Sequence, residues 1–449
     1  MALFGKVVRP FQRFFQLEAA SGILLLATAV AAMIWVNTWP RSYDLAFGLP
    51  LHLGVGRTRL TFTLHEVIND GLMTLFFFVV GMEIKRELLF GELRTLGRAA
   101  LPAVGALGGM VVPAGIYVAF NPGAPAHHGW GIPMATDIAF CIGVLTLLRK
   151  RVPQGLVVFL TALAIFDDIG GILVIALFYG RGLQIAWLGA AAAVAVVLFV
   201  AGRRRVTNLG LYLAGGTLLW YAVHNTGIHA TISGVVLGLA IPGRLRHRPR
   251  EVLRELSEHC SQLIERTEEE DVDVADVLMI ERRLEKLASP LARFVQSMHP
   301  VVAFFIMPLF ALANSGVPLQ AMRVADLTAG VTLGTALGLL LGKMAGIFCF
   351  TLLAVRAGLA PIPGGASVAK LLGTAVVGGI GFTVAIFIAA LAFPETPRLL
   401  IQAKLGIVAG SLVSGFIGAG ILLATSALEP ESAIRRAATS PSPAAPTGP

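Results

Sequence analysis

Apolar runs of about 20 residues follow one another along most of this chain, separated by short polar stretches. A run of that length is what one helix needs to cross the hydrocarbon of a bilayer. Hydrophobic residues fill 56% of the 449 positions and charged residues only 14%, where a soluble domain carries about 25% charged. That balance excludes a soluble globular fold and predicts an all-α polytopic membrane protein.

Twelve spanning segments are expected, over 18–38, 63–84, 97–119, 127–148, 154–178, 184–201, 208–223, 227–241, 293–315, 328–355, 366–393 and 402–425. The basic residues give an independent check on that division. Lys85, Arg86, Arg94 and Arg98 follow the second segment, and Arg149, Lys150 and Arg151 the fourth. Arg203, Arg204 and Arg205 follow the sixth, Arg244, Arg246, Arg248 and Arg250 the eighth, and Arg356 the tenth. Every cluster falls after an even-numbered segment, and cytoplasmic loops are the basic ones. Both termini are therefore expected in the cytoplasm. The net charge of +9 belongs to these loops rather than to a nucleic-acid-binding face. Cys141, Cys260 and Cys349 are widely spaced and suggest neither a disulfide framework nor a zinc site.

Around the twelve-helix domain at 18–425, four pieces read differently. Residues 1–17 mix Phe11, Phe14 and Phe15 with Lys6, Arg9 and Arg13, as an amphipathic segment lying on the membrane surface does. Residues 49–64 alternate apolar and polar around Gly54 and Gly56, predicting a small outer β-hairpin. Residues 243–289 are a polar cytoplasmic insertion, largely helical from Glu251 onward. Residues 426–449, rich in Pro, Ser, Ala and Thr, read as a disordered tail.

Five charges lie where a bilayer resists them. Asp70, Asp137, Asp167, Asp168 and Lys343 all fall inside expected spans. At about 2.5–3.5 kcal/mol each, their nominal cost is on the order of 12–17 kcal/mol before pairing or hydration. They must pair with one another or line a watery cavity. Asp167 and Asp168 sit in LTALAIFDDIGGILVIALF. Neighbours on a helix diverge by about 100°, so one carboxylate can face a cavity while the other turns to an adjacent helix. Two carboxylates this close resist ionising together. A hard cation such as sodium prefers the same oxygens a proton takes, and that competition is the core of an exchanger. Lys343 can release a proton when a cation displaces it from an aspartate; the plainer alternative is a static bridge to Asp167 or Asp137.

Two segments carry matching interruptions. GIPMATDIAF (131–140) and GIGFTVAIF (379–387) each combine Gly or Pro with a threonine and, four residues on, a phenylalanine. Interrupted helices in corresponding places of two halves point to a transporter's binding site. This brings Thr136 and Asp137 of the fourth segment, and Gly381 and Thr383 of the eleventh, into the candidate site. Glu83, Arg86 and Glu87 close the second segment and could sense pH, or could be an ordinary basic boundary. His229 could titrate near neutrality, or be an interfacial polar residue. Among other function classes, an ATP-driven pump lacks a phosphate loop, because Met344 follows Lys343. An intramembrane aspartyl protease using Asp137 and Asp167 leaves Asp168 and Lys343 without a role. A cation channel, or an exchanger of another monovalent cation, stays open.

At these residues the chain resembles the NhaA family of bacterial sodium–proton antiporters. The stretches that carry the resemblance are INDGLMTLFFFVVGMEIKRELL (68–89), TDIAFCIGVLTLL (136–148), FLTALAIFDDIGGILVIALFY (159–179), TGIHATISGVVLG (226–238), HPVVAFFIMPLFALANSGV (299–317), LGKMAGIF (341–348) and GIGFTVAIFIAALAF (379–393). The resemblance implies twelve helices in inverted-topology repeats, with the discontinuous fourth and eleventh segments crossing at the site. It implies Asp168 as a ligand of the transported sodium, Asp167 paired with Lys343, and Thr136 and Asp137 at the crossing. It implies Glu83 and Glu87 near a cytoplasmic funnel that responds to pH. It also implies electrogenic exchange in the bacterial inner membrane, more protons entering than sodium ions leaving, with lithium accepted, no cofactor, and a homodimer formed through the outer hairpin. One stretch departs from the family: RFVQSMHP (293–300) lacks the acidic residue that precedes the His-Pro pair in well-studied members. The resemblance therefore carries no expectation for alkaline activation.

Overall fold

The computed structural model describes residues 18–55, 58–149, 151–180, 182–243, 249–266, 276, 278–280 and 289–427. The expected surface segment at 1–17, the tail beyond 427, Arg244, Arg246 and Arg248, and most of the insertion after 266 lie outside the described residues.

In chain order the elements are α1 (Glu18–Thr38), α2 (Pro40–Phe47), β1 (Pro50–Val55), β2 (Thr58–Thr63), α3 (Met73–Phe90), α4 (Leu96–Phe120), α5 (Ile138–Leu147) and α6 (Gln154–Phe178). There follow α7 (Ile185–Arg203), α8 (Leu209–His224), α9 (Ile232–Ala240), α10 (Pro249–Arg266), α11 (Pro290–Val301) and α12 (Met307–Asn314). The last are α13 (Gly330–Leu337), α14 (Lys343–Arg356), α15 (Val368–Val377), α16 (Phe382–Ala392) and α17 (Pro397–Ala427). Wider, π-helical turns at Val67–Leu72, Val302–Ile306 and Gly338–Gly342 lead into α3, α12 and α14.

Nine helices among the described residues are long and apolar enough to span a bilayer, and the pair α15 and α16, bent by 45°, makes a tenth. The two expected segments that fall short are those at 208–223 and 227–241. Helix α8 has 16 residues and α9 has 9, which is about 24 and 14 Å of helix against a hydrocarbon layer of about 30 Å. The apolar run of the eighth segment begins before its helix, because Thr226 to Ala230 form turns.

The chain divides into two compact units. One holds the residues up to Leu72, Glu92–Tyr179 and those from Ala303 on; the other holds Met73–Gly91 and Gly180–Val302. In the first unit, β1 and β2 pair antiparallel from Pro50↔Thr63 to Val55↔Thr58. The hairpin runs straight into a helix because Thr63 and Glu66 cap each other, the Thr63 N–H donating to Glu66 Oε2 at 2.7 Å and the Glu66 N–H to Thr63 Oγ1 at 3.2 Å. Helices α4 and α14 meet backbone to backbone. A Cβ on Gly108 would lie 2.3 Å from the Gly346 carbonyl oxygen, and one on Gly346 would lie 2.1 Å from the Gly108 oxygen. That contact sets the position of α14, which begins with Lys343.

In the second unit, α9 packs on α3 by the same device. A Cβ on Gly238 would lie 2.4 Å from the Phe78 carbonyl oxygen, so the Gly-xxx-Gly spacing of Gly234 and Gly238 is a packing requirement. Lys85 on α3 reaches the end of α9 and donates to the carbonyl oxygens of Leu239 and Ile241 at 2.7 and 2.5 Å, satisfying groups the helix leaves open. The described helix of the insertion, α10, carries an Arg254–Glu258 pair at 3.1 Å.

Candidate functional site at two helix breaks

The site grows from two places in the first unit where helical hydrogen bonding stops. In the fourth segment a 3-10 helix ends at Met134, Ala135 is extended (φ −74°, ψ 144°), and α5 begins after Asp137. Pro133 lacks the donor that would carry an α-helix through. In the eleventh segment α15 ends at Val377, Gly378 to Gly381 turn, and α16 starts at Phe382. The two breaks are bonded to each other: the Asp137 N–H donates to the Ile380 carbonyl at 2.7 Å, and the Cys141 thiol to the Val377 carbonyl at 3.2 Å. Unravelled backbone groups that lipid could not satisfy are matched between the breaks.

Asp137 caps two half-helices at once. Its Oδ1 accepts the Phe140 N–H of its own helix at 3.2 Å. Its Oδ2 accepts the Thr383 N–H at 3.1 Å and also the Thr383 hydroxyl. A carboxylate is favourable at the positive end of a helix, and here one carboxylate serves two such ends, with 1% of the residue exposed.

Asp167 and Asp168 approach from the middle of α6. The Lys343 ammonium donates to Asp167 Oδ2 at 2.5 Å, and neither side chain is exposed. The Thr136 hydroxyl lies 2.7 Å from the same oxygen and 3.0 Å from the Gly378 carbonyl. A hydroxyl has one proton to give, so it can donate to the carboxylate or to the break, not fully to both. The other oxygen, Asp167 Oδ1, is buried and accepts no hydrogen bond from the described residues. Asp168 is buried one position further along the helix, with 8% exposed. Lys343 thus pairs with Asp167, while Asp137 is held separately by backbone and hydroxyl donors.

The geometry thus gathers Thr136, Asp137, Asp167, Lys343, Gly381 and Thr383, all singled out by the sequence. Asp70 lies in the π-helical turn Val67–Leu72 of the same unit, half-buried. Glu83, Arg86, Glu87 and His229 belong to the second unit. There Arg86 and Glu87 pair at 3.5 Å near the surface, and His229 Nδ1 lies 3.0 Å from Thr231 Oγ1. Sequence reasoning missed Cys141 and the carbonyl oxygens of Val377, Gly378 and Ile380. No sequence signal marks a carbonyl, since every residue has one; only the glycines of the eleventh segment hint that some are released there.

This chain is not alone in its pattern. The family described as Na+/H+ antiporter 1 matches residues 12–422. The Na(+)/H(+) antiporter NhaA of Anaeromyxobacter sp. (strain Fw109-5) is 59% identical over 425 residues, covering 94% of this chain and 93% of that protein. The Na(+)/H(+) antiporter NhaA 1 of Myxococcus xanthus (strain DK1622) is 55% identical over 421 residues, 94% of each. The Na(+)/H(+) antiporter NhaA of Oleidesulfovibrio alaskensis is 46% identical over 424 residues, 92% of this chain and 93% of that protein. The chain belongs to the Na+/H+ antiporter family. An antiporter of this kind is a secondary transporter and not an enzyme, which disposes of the protease reading. The partners of the aspartates agree, because Asp137 is held by Thr383 and Asp167 by Lys343 and Thr136, each in its own set of bonds.

Proposed function

We propose that this antiporter exports sodium from the cell in exchange for a larger number of protons, the two ions taking turns on the oxygens of Asp167 and Asp168. The observation that carries this reading is the buried Lys343–Asp167 pair, set against a helix break, with the second oxygen of the same carboxylate, Asp167 Oδ1, accepting no hydrogen bond from the described residues. Sodium is a hard cation that takes carboxylate, hydroxyl and carbonyl oxygens. Asp168, Asp167 Oδ1 and the hydroxyl of Thr136 offer such a set. When sodium enters, Asp168 gives up its proton. Asp167 turns from Lys343 to the ion, and the ammonium, left without its counter-charge in a dry interior, releases a second proton. One positive charge is thus exchanged for two, so the cycle moves net charge and responds to membrane voltage. Lithium, smaller but equally hard, fits the same oxygens.

In this reading the chain crosses the bacterial inner membrane twelve times with both termini inside, α8 and α9 serving as short spans. The interrupted segments containing α5 and α16 cross at the site, and the two halves of the transporter are inverted repeats. Asp137 offsets the positive half-helix ends that would otherwise repel the cation. Glu83, Arg86, Glu87, His229 and Asp70 adjust the response to pH, and the hairpin β1–β2 joins two copies in a dimer. The test is direct. In everted membrane vesicles holding a proton gradient, added sodium should collapse the gradient. Asp168→Asn should abolish that response while the protein is still inserted at normal levels. Retained exchange by the variant would refute the assignment, and the same assay with potassium separates a broader cation exchanger.

A further inference from the structure

The first turn of α16 has donors that its own residues do not satisfy. A helix leaves its first N–H groups without intrahelical partners, and the position that would supply a side-chain cap is Gly381, which has none. The cap comes instead from α17. Ser411 Oγ accepts the Gly381 N–H at 3.2 Å and the Phe382 N–H at 3.3 Å, and the residue is 4% exposed. The next donor along, the Thr383 N–H, goes to Asp137 Oδ2 at 3.1 Å. One hydroxyl and one carboxylate therefore divide the start of α16 between them. The backbone at this point has no slack, since a Cβ on Gly381 would lie 2.9 Å from the Ala135 carbonyl oxygen and 2.8 Å from Leu339 Cδ2.

We propose that Ser411 is a positioning residue for cation binding: by capping Gly381 and Phe382 it fixes the start of α16, so that Thr383 is the residue of that first turn that engages Asp137 and the helix's positive end is covered. Without that hydroxyl, two buried N–H groups lose the acceptor that Ser411 supplies, and the carboxylate already bonded to the next residue of the same turn is that of Asp137. The carboxylate is then drawn toward the helix, and the bare end of α16 carries roughly half a positive charge beside the site. Both changes weaken cation binding. The inference rests on the reading of Asp137 as part of the cation site.

The experiment measures sodium-dependent collapse of the proton gradient in everted vesicles, comparing the apparent KM for sodium with the maximal rate. Ser411→Ala should raise the KM about tenfold, the size of effect expected when buried donors lose an acceptor, with a much smaller change in maximal rate. Ser411→Thr, which keeps the hydroxyl, should restore a near-normal KM. Leu412→Ala, beside it on the same helix but 45% exposed, should leave the KM unchanged. If Ser411→Ala fails to insert, Ser411→Cys decides, because it keeps the packing but offers only a weak acceptor; its KM should rise. A wild-type KM in the Ala or Cys variant overturns the proposal, as does a Thr variant no better than Ala, which would reduce Ser411 to packing. Those failures are separate from failure of the site itself, which shows as exchange retained by Asp168→Asn.

Discussion

Lys343 and Asp167 form a fully buried ion pair, Nζ to Oδ2 at 2.5 Å, between α14 and α6. A pair of this kind is a weak source of stability while intact and a large liability once broken, since removing one partner strands the other in a low dielectric at a cost of about 3–5 kcal/mol. Lys343→Ala should therefore lower the melting temperature of the detergent-solubilised protein by several degrees, and the double variant Lys343→Ala with Asp167→Asn should recover part of the loss. If the lysine also carries a proton through the cycle, Lys343→Ala should weaken the voltage dependence of exchange in proteoliposomes. A variant with unchanged melting and unchanged voltage dependence would remove Lys343 from both roles.

Thr136 joins the buried pair to the break in the eleventh segment, its single hydroxyl lying within bonding distance of Asp167 Oδ2 and the Gly378 carbonyl. Thr136→Val keeps the shape and removes the hydroxyl. In the proposed site that hydroxyl is also one of the oxygens offered to sodium; if losing it costs the bound state about 1.5–3 kcal/mol, as for a hydrogen bond to a charged group, the apparent sodium affinity should fall by about tenfold or more, and Thr136→Ser should restore it. Sodium titrations of the gradient in vesicles would show whether serine rescues; equal losses in both variants would make Thr136 a packing residue.

Much of this arrangement was legible before any coordinates. Helix α6 runs over the residues its apolar run predicted, 154–178, because Pro153 opens it and the polar stretch after Phe178 closes it. The helices stop within the two stretches read as interruptions, GIPMATDIAF and GIGFTVAIF, and the charged residues stood out as candidates because a bilayer makes them expensive. What stayed hidden depends on long-range geometry. Thr136 and Asp167 are separated by 31 positions, and Thr383 and Asp137 by 246, so nothing local couples them. The shortness of α9 was masked because hydropathy cannot tell an apolar turn at 226–230 from an apolar helix. The π-helical turn before Lys343 has no composition of its own, only the ordinary apolar residues GLLLG. Ser411 looked like any small residue in a membrane helix.

The contact between α4 and α14 makes a prediction about how Lys343 is held. Gly108 and Gly346 each face the other's carbonyl at less than the distance a Cβ tolerates. Even the smallest side chain must push the helices apart, and overpacking of this kind costs about 1–3 kcal/mol. Gly346→Ala should lower the melting temperature. It should also reduce exchange more than Gly97→Ala, since a Cβ at Gly97 meets nothing within 4 Å. Equal melting curves for the two variants would mean that the helices are not held this closely.

Tyr43, outside the spanning segments on α2, offers a test by pH. Its hydroxyl lies 2.9 and 2.8 Å from the carbonyl oxygens of Leu312 and Ala313 and shares its one proton between them, and its ring packs on Trp35 and Phe47. Burial, helped by the negative charge of Asp44, pushes the phenol well above its ordinary value of 10.0. The folded protein thus holds this proton more tightly than the unfolded chain does. The bond's contribution is complete below pH 10, and it declines as the pH rises above that value, because the unfolded chain then gains by losing the proton. Tyr43→Phe removes both the bond and the titration. Near pH 8 the variant should be less stable by about 0.5–1.5 kcal/mol. Between about pH 10 and 11.5 the gap in melting temperature between variant and parent should close, because only the parent loses this contribution. A gap that stays constant across that range would show that Tyr43 does not hold its proton as the two carbonyl bonds require.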